Sequence, residues 1–349
     1  MKHRTIGRTG IHVTPYCLGA MMFGEWGNPD HDDSIRIIHA ALDGGINFID
    51  TADAYSAGES EEIVGKALKG RRDSVVLATK FFFPMSGSDP NMGGGSRRWI
   101  MKEVENSLRR LDTDYIDLYQ FHRPVPGTDI DETLGALSDL IHQGKVRAIG
   151  SSTFPAELIV EAQWVAERRG RERFVCEQPP YSLFARAIET AVLPTCDQYG
   201  MGVIVWSPLA GGWLTGKYRK GDAQPDSHRA KRIPARFDFN LPENQTKLDL
   251  VDQLSKVAAD AGISMTHMSM AFAVTHPTVT SAIIGPRTME QLTDVLAGAS
   301  VELSDDVLDA LDQIVPPGTT INAADAGWTP PSIAQSFRRR RAIGRRSAG

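Results

Sequence analysis

Four residues that can donate or hold a proton stand at or just beyond the ends of short apolar runs. Asp50 ends INFID, Lys80 ends SVVLATK, His122 ends YIDLYQFH, and Tyr55 follows Asp50 by five residues. A tyrosine hydroxyl, with an unperturbed pKa of about 10, donates its proton more easily when a neighbouring ammonium stabilises the phenolate. These residue types suit carbonyl reduction. Tyr55 would donate the proton, with Lys80 beside it, while Asp50 holds the lysine and His122 orients the carbonyl oxygen.

Each of these residues alone also has a purely structural explanation. Asp50 can cap a helix, Lys80 can be a solvated strand end, His122 can be a hydrogen-bonded core histidine, and Tyr55 can pack in a loop. Convergence of all four on one place favours an active site over coincidence. We predict no metal site, because one Asp and one His without H-E-x-x-H or paired carboxylates make a poor ligand set.

Bringing these residues together requires a scaffold in which strand ends meet. Apolar runs predict eight strands, at 12–19, 46–50, 74–80, 115–122, 146–152, 173–178, 202–208 and 280–285. Helical spacing between them predicts helices at 34–45, 59–70, 97–112, 131–145, 156–170 and 190–200, with glycines such as Gly170 and Gly200 as stop signals.

Eight strands that alternate with helices, apolar on both faces, indicate an α/β fold. The count predicts a (β/α)8 TIM barrel, whose active site lies at the C-terminal ends of the strands. An open, doubly wound sheet is the alternative. It is less favoured, since CLGAMMFGEWG lacks the G-x-G-x-x-G turn that a dinucleotide site would place after the first strand.

Three segments depart from the repeat. KHRTIGRTGIHV predicts an N-terminal β-hairpin that caps the bottom of the barrel. The 218–245 insertion is rich in charge, Pro and Gly, and predicts a long loop at the C-terminal face before two further helices. We therefore expect one barrel domain over 1–315 and a basic, partly disordered tail over 316–349 that contains FRRRRAIGRR.

Composition limits the classes of partner. The 349 residues are 41% hydrophobic and 23% charged with a net charge of -5, which is typical of a globular protein and indicates neither nucleic-acid nor membrane binding. No stretch approaches the ~20 apolar residues of a membrane-spanning helix, and the N-terminus lacks a signal-peptide pattern. Cys17, Cys176 and Cys196 lie far apart in apolar settings, so we expect free thiols and a cytoplasmic location.

Several ordered motifs resemble the aldo-keto reductase family, in particular the bacterial branch related to the potassium-channel β subunits. The motifs are FIDTADAY, LATK, DLYQFHRP, EQPPYSL and WSPLAGGWLTGKY, and the resemblance runs from LGAMMFG to GPRTMEQL. It implies a catalytic tetrad of Asp50, Tyr55, Lys80 and His122. It also implies an NADP(H)-dependent oxidoreductase that reduces an aldehyde or ketone to an alcohol.

The sequence also suggests a cofactor site. Ser152, Thr153 and Gln178 can bind a carboxamide, Trp206 can stack on a flat ring, and Arg287 begins a helix where a phosphate can bind. With these, the resemblance implies contacts from Ala20, Met21, Asp50, Ser152, Thr153, Gln178, Trp206, Ser207, Pro208, Leu209, Ala210, Gly211, Lys217, Gly285, Arg287, Gln291 and Asp294.

Arg287 facing a 2′-phosphate favours NADP(H). Two positions depart from the family pattern, since Thr153 and Val295 stand where asparagine is common. Both weaken single contacts to the cofactor and leave the four catalytic residues in place.

Two questions stay open at this level. The chain could instead be a nicotinamide-binding regulatory subunit of the channel-β type with weak or no turnover, but those subunits carry asparagine where this chain has His122. The substrate, a small carbonyl compound, depends on the loop 81–99, the insertion and the tail. Phe81 to Phe83, Trp99 and Trp213 are candidates for an aromatic pocket, although core packing explains some of them equally well. The oligomeric state is not encoded in any motif.

Overall fold

A closed barrel of eight parallel strands forms the centre of the molecule, which confirms the predicted (β/α)8 TIM barrel. The computed structural model describes residues 1–85, 87, 89–125 and 127–335. Strand neighbours follow the chain around the barrel, and β10 closes it against β3. The strands in the described residues are β1 Arg4–Thr5, β2 His12–Val13, β3 Tyr16–Gly19, β4 Phe48–Asp50, β5 Val76–Phe81, β6 Ile116–Phe121, β7 Val146–Ser152, β8 Cys176–Gln178, β9 Gly202–Val205 and β10 Val279–Ile284.

Helices surround the barrel where the 3.6-residue spacing predicts them. Side chains such as those of Ser96 and Asp129 cap the starts of helices, and Gly170 and Gly200 end two others in the left-handed conformation that glycine adopts without strain. Among the described residues, no helix has both the length and the apolar character that a membrane span requires. The α-helices are α1 His31–Asp43, α2 Glu59–Leu68, α3 Arg97–Leu111, α4 Ile130–His142, α5 Ala156–Arg169, α6 Val192–Tyr199, α7 His228–Arg232, α8 Pro242–Asp260, α9 Met265–Thr275, α10 Met289–Ala297, α11 Asp305–Ile314 and α12 Pro331–Ala334.

The barrel interior is apolar at the bottom and polar at the top. Residues two apart on a strand face the same side, so Phe48 lies below Asp50 and Ala78 lies below Lys80. The lower layer is a cluster of small and branched apolar side chains that includes Phe48, Ala78, Leu118, Cys176 and Ile204. On β4, β5 and β6 the change from apolar to polar therefore marks the point where the strand reaches the mouth.

The predicted N-terminal hairpin is present and closes the bottom of the barrel. β1 pairs antiparallel with β2, with Arg4 opposite Val13. Ile6 and Val13 are fully buried in the same cluster as the interior strand residues. The hairpin thus supplies apolar side chains that exclude water from the lower end.

Some strand boundaries differ from the predictions. The run 12–19 is split, because His12–Val13 belongs to the hairpin and only Tyr16–Gly19 joins the barrel. Pro15 lies at the break, where its missing N–H prevents a continuous ladder. Strand β6 ends at Phe121, so His122 lies one residue beyond it, while β5 continues one residue past Lys80.

The long connection after β9 contains the two predicted helices, α8 and α9, and before them the short helix α7. After α11 the chain returns to the barrel mouth, where Asn322 and Asp325 are buried. The basic run 337–346 lies outside the described residues. The division into a barrel domain over 1–315 and a tail over 316–349 stays a prediction.

Candidate active site

Strand register brings the predicted residues to one mouth. Asp50 pairs with Ala78, which puts Lys80 one interior position higher on the neighbouring strand. Lys80 in turn pairs with Gln120, and Ser152 pairs with Gln178. Because strands in a barrel are staggered, these side chains converge although the residues are far apart in the chain.

Lys80 is the centre of this group. Its ammonium is fully buried and donates to the Asp50 carboxylate, to the carbonyl oxygen of Thr51 at 2.8 Å and to the Tyr55 hydroxyl at 3.3 Å. Burial opposes the charge of the ammonium, but Asp50 and Tyr55 outweigh burial and the pKa of Lys80 is raised above its ordinary value. A permanent positive charge therefore lies beside the phenol.

Two glutamines hold the other oxygen of Asp50. Gln120 Nε2 donates to Asp50 Oδ2 at 3.0 Å and Gln178 Nε2 at 2.8 Å, and Gln178 Nε2 also donates to Gln120 Oε1 at 3.0 Å. Since the Gln178 amide nitrogen faces inward, its oxygen is the atom left to accept from a bound carboxamide. Gln120 was not predicted, although it lies two residues before His122 on the interior face.

Tyr55 reaches the mouth through a sharply folded loop. After β4 the chain continues to bond to β5, with Asp53 N donating to Lys80 O at 3.1 Å. Ser56 and Ala57 then adopt left-handed backbone angles, φ 48° and 55°, a conformation that costs side-chain-bearing residues of order 1 kcal/mol each. Ser56 Oγ accepts from Trp26 N at 3.1 Å, which fastens the loop to the segment after β3.

His122 lies across the mouth from Lys80. Its imidazole packs edge-on to Tyr55 and Phe83, at ring-centroid distances of 5.8 and 4.9 Å. Burial, followed by the positive charges of Lys80 and Arg123, holds the pKa of His122 well below its ordinary value. The ring is therefore neutral near neutral pH and can donate a hydrogen bond to a carbonyl oxygen.

These residues open into a cavity of about 1200 Å³ at the C-terminal ends of the strands. All four proposed catalytic residues contribute to the site, although Lys80 lies beneath the lining and contacts it through Asp50 and Tyr55. The predicted cofactor residues in the lining are Met21, Asp50, Ser152, Gln178, Trp206, Ser207, Pro208, Leu209, Gly211, Lys217, Gly285, Arg287, Gln291 and Asp294. Ala20, Thr153 and Ala210 are buried next to it without lining it.

One side of the cavity suits a phosphate-bearing ligand. Gly211 and Gly212 have φ of 73° and 102°, which favour glycine, and a Cβ on Gly212 would lie 2.8 Å from Lys217 Nζ and would push that ammonium aside. Arg229 lies on the same side. Burial first, then the charges of Arg236 and Arg287, lower its pKa to about 10. Cations gathered against their mutual repulsion favour a bound anion.

Other lining residues were not predicted. Trp26 follows β3, Arg123 follows His122, and Arg229 and Arg232 come from the basic insertion. The first two lie just beyond strand ends, the position at which functional residues are expected, but no apolar pattern continues that far.

The candidate aromatic pocket is only partly formed by the residues proposed. Phe83 lines the cavity, whereas Phe81, Trp99 and Trp213 are fully buried in the core. Trp26, Trp206 and Trp328 supply the other flat surfaces. Among the described side chains, no group of three or more His, Cys, Asp and Glu is arranged to hold a metal ion.

Comparisons with known proteins agree with this arrangement. The model of the "Aldo/keto reductase family" matches residues 15–316. The chain is 40% identical over 328 residues to "Uncharacterized oxidoreductase YrpG" of Bacillus subtilis (strain 168), covering 90% of this chain and 96% of that protein.

Two further relatives represent the enzyme and channel branches. "Aldo-keto reductase YhdN" of Bacillus subtilis (strain 168) is 39% identical, with 84% of this chain and 87% of that protein covered. "Probable voltage-gated potassium channel subunit beta" of Oryza sativa subsp. japonica is 35% identical, with 90% and 97% covered. From the barrel, the residues at its mouth and these matches together, the chain belongs to the aldo/keto reductase family.

Proposed function

We propose that the protein is an NADP(H)-dependent oxidoreductase that reduces an aldehyde or ketone to an alcohol, with Tyr55 as the proton donor. The observation that carries this proposal is the chain of contacts from Asp50 through Lys80 to the Tyr55 hydroxyl at the mouth of the cavity. The family match and the oxidoreductase relatives support carbonyl reduction in general.

In this mechanism the substrate carbonyl oxygen lies between Tyr55 and His122. A reduced nicotinamide bound in the cavity would supply the hydride. As negative charge develops on the carbonyl oxygen, neutral His122 donates a hydrogen bond and Tyr55 transfers its proton, while Lys80 stabilises the resulting phenolate. Asp50, fixed by Gln120 and Gln178, holds the ammonium in place.

The cofactor would occupy the side of the cavity that carries the glycines and cations. Ser152 and Gln178 would bind the carboxamide, Trp206 would stack on the nicotinamide, and Lys217 with Arg229 would bind the pyrophosphate; all five residues line the cavity. Arg287 lines the cavity, and its backbone N–H is held by Gln291 Oε1 at 2.9 Å. A guanidinium there favours a 2′-phosphate and hence NADP(H). The free, buried cysteines agree with a proposed cytoplasmic location.

The test begins with cofactor titration. Purified protein should bind NADPH, followed by nicotinamide fluorescence, and should consume it in the presence of simple aldehydes and ketones. Tyr55→Phe should lower kcat by about 10²–10⁴-fold, the usual contribution of a positioned acid, and leave NADPH affinity unchanged. Tyr199→Phe, outside the cavity, is the matched control. A Tyr55→Phe variant as active as the parent would exclude this mechanism.

Cofactor choice has its own test. Arg287→Ala should weaken NADPH binding by about 10- to 100-fold, the range expected for a lost charge-assisted contact, and should change NADH binding little. Equal losses for both cofactors would refute the 2′-phosphate assignment.

A regulatory subunit of the channel-β type is the second candidate, because of the likeness to the rice protein. His122 argues against it, since it adds a hydrogen-bond donor directly beside Tyr55. Cofactor binding without turnover over a broad carbonyl panel would favour this candidate.

A further inference from the structure

Two arginines lie within electrostatic range of Tyr55. Arg123 directly follows His122, and Arg232 ends α7. Both line the cavity. Neither forms a salt bridge within the part of the chain that the structure describes, whereas nearby Arg236 is paired with Asp325 at 2.5 Å.

Aromatic rings connect each of the two guanidinium groups to the surroundings of Tyr55. Arg232 Cζ lies 3.5 Å from the centroid of Trp26, whose ring is 6.1 Å from that of Tyr55. Arg123 Cζ lies 5.9 Å from the Phe83 centroid and 6.0 Å from that of Trp206, and Phe83 packs against His122, the neighbour of Tyr55. Both guanidinium groups are within electrostatic range of the Tyr55 phenol.

Of the two arginines, Arg123 has the greater need of a negatively charged partner. Its one hydrogen bond in the described part of the chain runs from Nη1 to the carbonyl oxygen of His122 at 2.5 Å. Burial lowers the pKa of Arg123, but a guanidinium stays charged at any working pH. Arg123 is partly exposed to the cavity. The acidic side chain acting on it is that of the buried Glu177, whose pKa is raised to about 7 by burial and which forms no salt bridge with Arg123 among the described residues. A cation without a direct ion-pair partner at a cavity wall favours a ligand that brings a negative charge.

The positive charge of Arg123 is separate from the side of the cavity that is proposed to bind phosphate. Lys217, Arg229 and Arg287 accompany the glycines Gly211 and Gly212, whereas Arg123 lies beside His122 and Phe83. Arg232 lies between the two groups, since it neighbours both Trp26 and Arg229. Arg123 is therefore the principal candidate and Arg232 the second.

We propose that the preferred substrate is an aldehyde or ketone with a flat apolar body and a carboxylate or phosphate group, which binds Arg123 and Arg232 while the carbonyl lies at Tyr55 and His122. Trp26 and Phe83 provide the flat walls. Guanidinium groups bind both kinds of anion through paired N–H donors. The inference rests on the proposed carbonyl reduction.

Matched substrate pairs test this inference. With saturating NADPH, kcat/KM for para-carboxybenzaldehyde should exceed that for its methyl ester by about tenfold or more, as expected when one or two charge-assisted contacts are gained. In parallel, para-formylphenyl phosphate is compared with para-methoxybenzaldehyde. The pair with the larger ratio of kcat/KM, anionic over neutral substrate, identifies the anion that the site prefers.

Variants then assign the preference to the two arginines. Arg123→Gln should reduce kcat/KM for the preferred anionic substrate by about 10- to 100-fold and leave the neutral partner within about twofold, and Arg232→Gln should have a smaller effect in the same direction. Arg123→Lys keeps the positive charge but loses the paired N–H donors of the guanidinium group, so it should recover part of the lost kcat/KM. Arg98→Gln, on the exposed face of α3, is the control.

The outcomes separate this inference from the proposed function. If the neutral partners are reduced as well as or better than the anionic ones, reductase activity stands and the anionic preference is wrong. If Arg123→Gln and Arg123→Lys lower both members of a pair equally, or weaken NADPH binding, the arginine serves the fold or the cofactor. If no carbonyl compound of either kind is reduced, the proposed function fails and this inference fails with it.

Discussion

Two lysine–aspartate pairs in this molecule are equally buried and differ in almost everything else. Lys80 and Asp50 lie at the barrel mouth, and Lys247 and Asp325 join α8 to the C-terminal segment. Both ammonium groups are fully inaccessible. The contrast lies in what surrounds each pair.

Lys80 has several acceptors, whereas the salt-bridge partner of Lys247 among the described residues, Asp325, is shared with Arg236. Lys80 donates to Asp50, the Thr51 carbonyl and Tyr55. Lys247 Nζ lies 2.6 Å from Asp325 Oδ2 without the alignment of a hydrogen bond, and Arg236 occupies the other oxygen.

The two ammonium groups accordingly titrate in opposite directions. The acidic neighbours of Lys80 outweigh burial and its pKa is raised. Burial, reinforced by the charge of Arg236, outweighs Asp325 and the pKa of Lys247 is lowered.

The difference shows that a buried ion pair does not by itself indicate catalysis. The pair at the mouth acts on a third group, the Tyr55 hydroxyl, which faces the cavity. The pair at α8 fixes the segment Ala323–Ala326, whose neighbours Gly327 and Trp328 line the same cavity. In the proposed mechanism one pair serves the chemistry, and the other supports the shape of the cavity.

The largest expected effect is on turnover, from the mouth pair. Lys80→Met removes the charge that stabilises the Tyr55 phenolate, so kcat should fall by about 10²–10⁴-fold. The variant also leaves Asp50 buried without its counter-charge, which should lower the free energy of unfolding by about 3–5 kcal/mol. Stopped-flow single turnovers and urea unfolding measure the two effects.

A double variant separates these two losses. Asp50→Asn combined with Lys80→Met removes both charges, so much of the stability should return while turnover stays low. If kcat recovers together with stability, Lys80 serves the fold and the contrast between the pairs disappears.

A smaller effect, on stability and substrate binding, is expected from the other pair. Asp325→Asn leaves Lys247 and Arg236 without their shared counter-charge, so the free energy of unfolding should fall by about 3–5 kcal/mol. Because Asp325 holds the segment beside Trp328, KM should rise while kcat for bound substrate changes little. Urea unfolding and steady-state kinetics measure these quantities.

Lys247→Met is the matched control, since Asp325 keeps Arg236. Its cost should stay within the ~0.5–3 kcal/mol of ordinary substitutions. An Asp325→Asn variant that loses kcat as severely as Lys80→Met would show that the second pair also acts in catalysis.

The mouth pair was predictable from the sequence, and the α8 pair was not. Asp50 and Lys80 end apolar strands in a chain whose strand count indicates a barrel, and barrel geometry then puts strand ends at one mouth. Gln120 was missed because it is interior to a strand, although alternation with His122 places it on the same face.

Lys247 and Asp325 carry no such pattern. Lys247 is one of several charged residues on α8, and nothing in the sequence distinguishes it from the others. Asp325 follows the last barrel helix in a segment without periodicity. Their contact depends on how the C-terminal segment returns to the mouth, a long-range packing outcome that local sequence does not encode. Arg232 escaped prediction for the same reason, since a basic insertion is typical of solvated loops.

The smallest expected effect is on the free energy of unfolding at alkaline pH, where the contributions of Lys80 and Lys247 should change in opposite directions. The folded-state pKa of Lys80 lies above its ordinary 10.5, so its contribution to stability is complete below that pH and is lost as pH rises through the folded pKa. The pKa of Lys247 lies below 10.5, so its charged form opposes folding at lower pH, and that cost is relieved as pH rises towards 10.5.

Urea unfolding from about pH 9 to pH 11, around the ordinary lysine pKa, tests the signs. The stability difference between parent and Lys80→Met should shrink at the alkaline end, because the folded parent loses the proton that stabilised it. The difference between parent and Lys247→Met should shift in favour of the parent as pH rises. Lys256→Met, exposed on the same helix α8, corrects for the loss of a lysine. If both differences move in the same direction, the two buried pairs are electrostatically alike and only the position of Tyr55 distinguishes them.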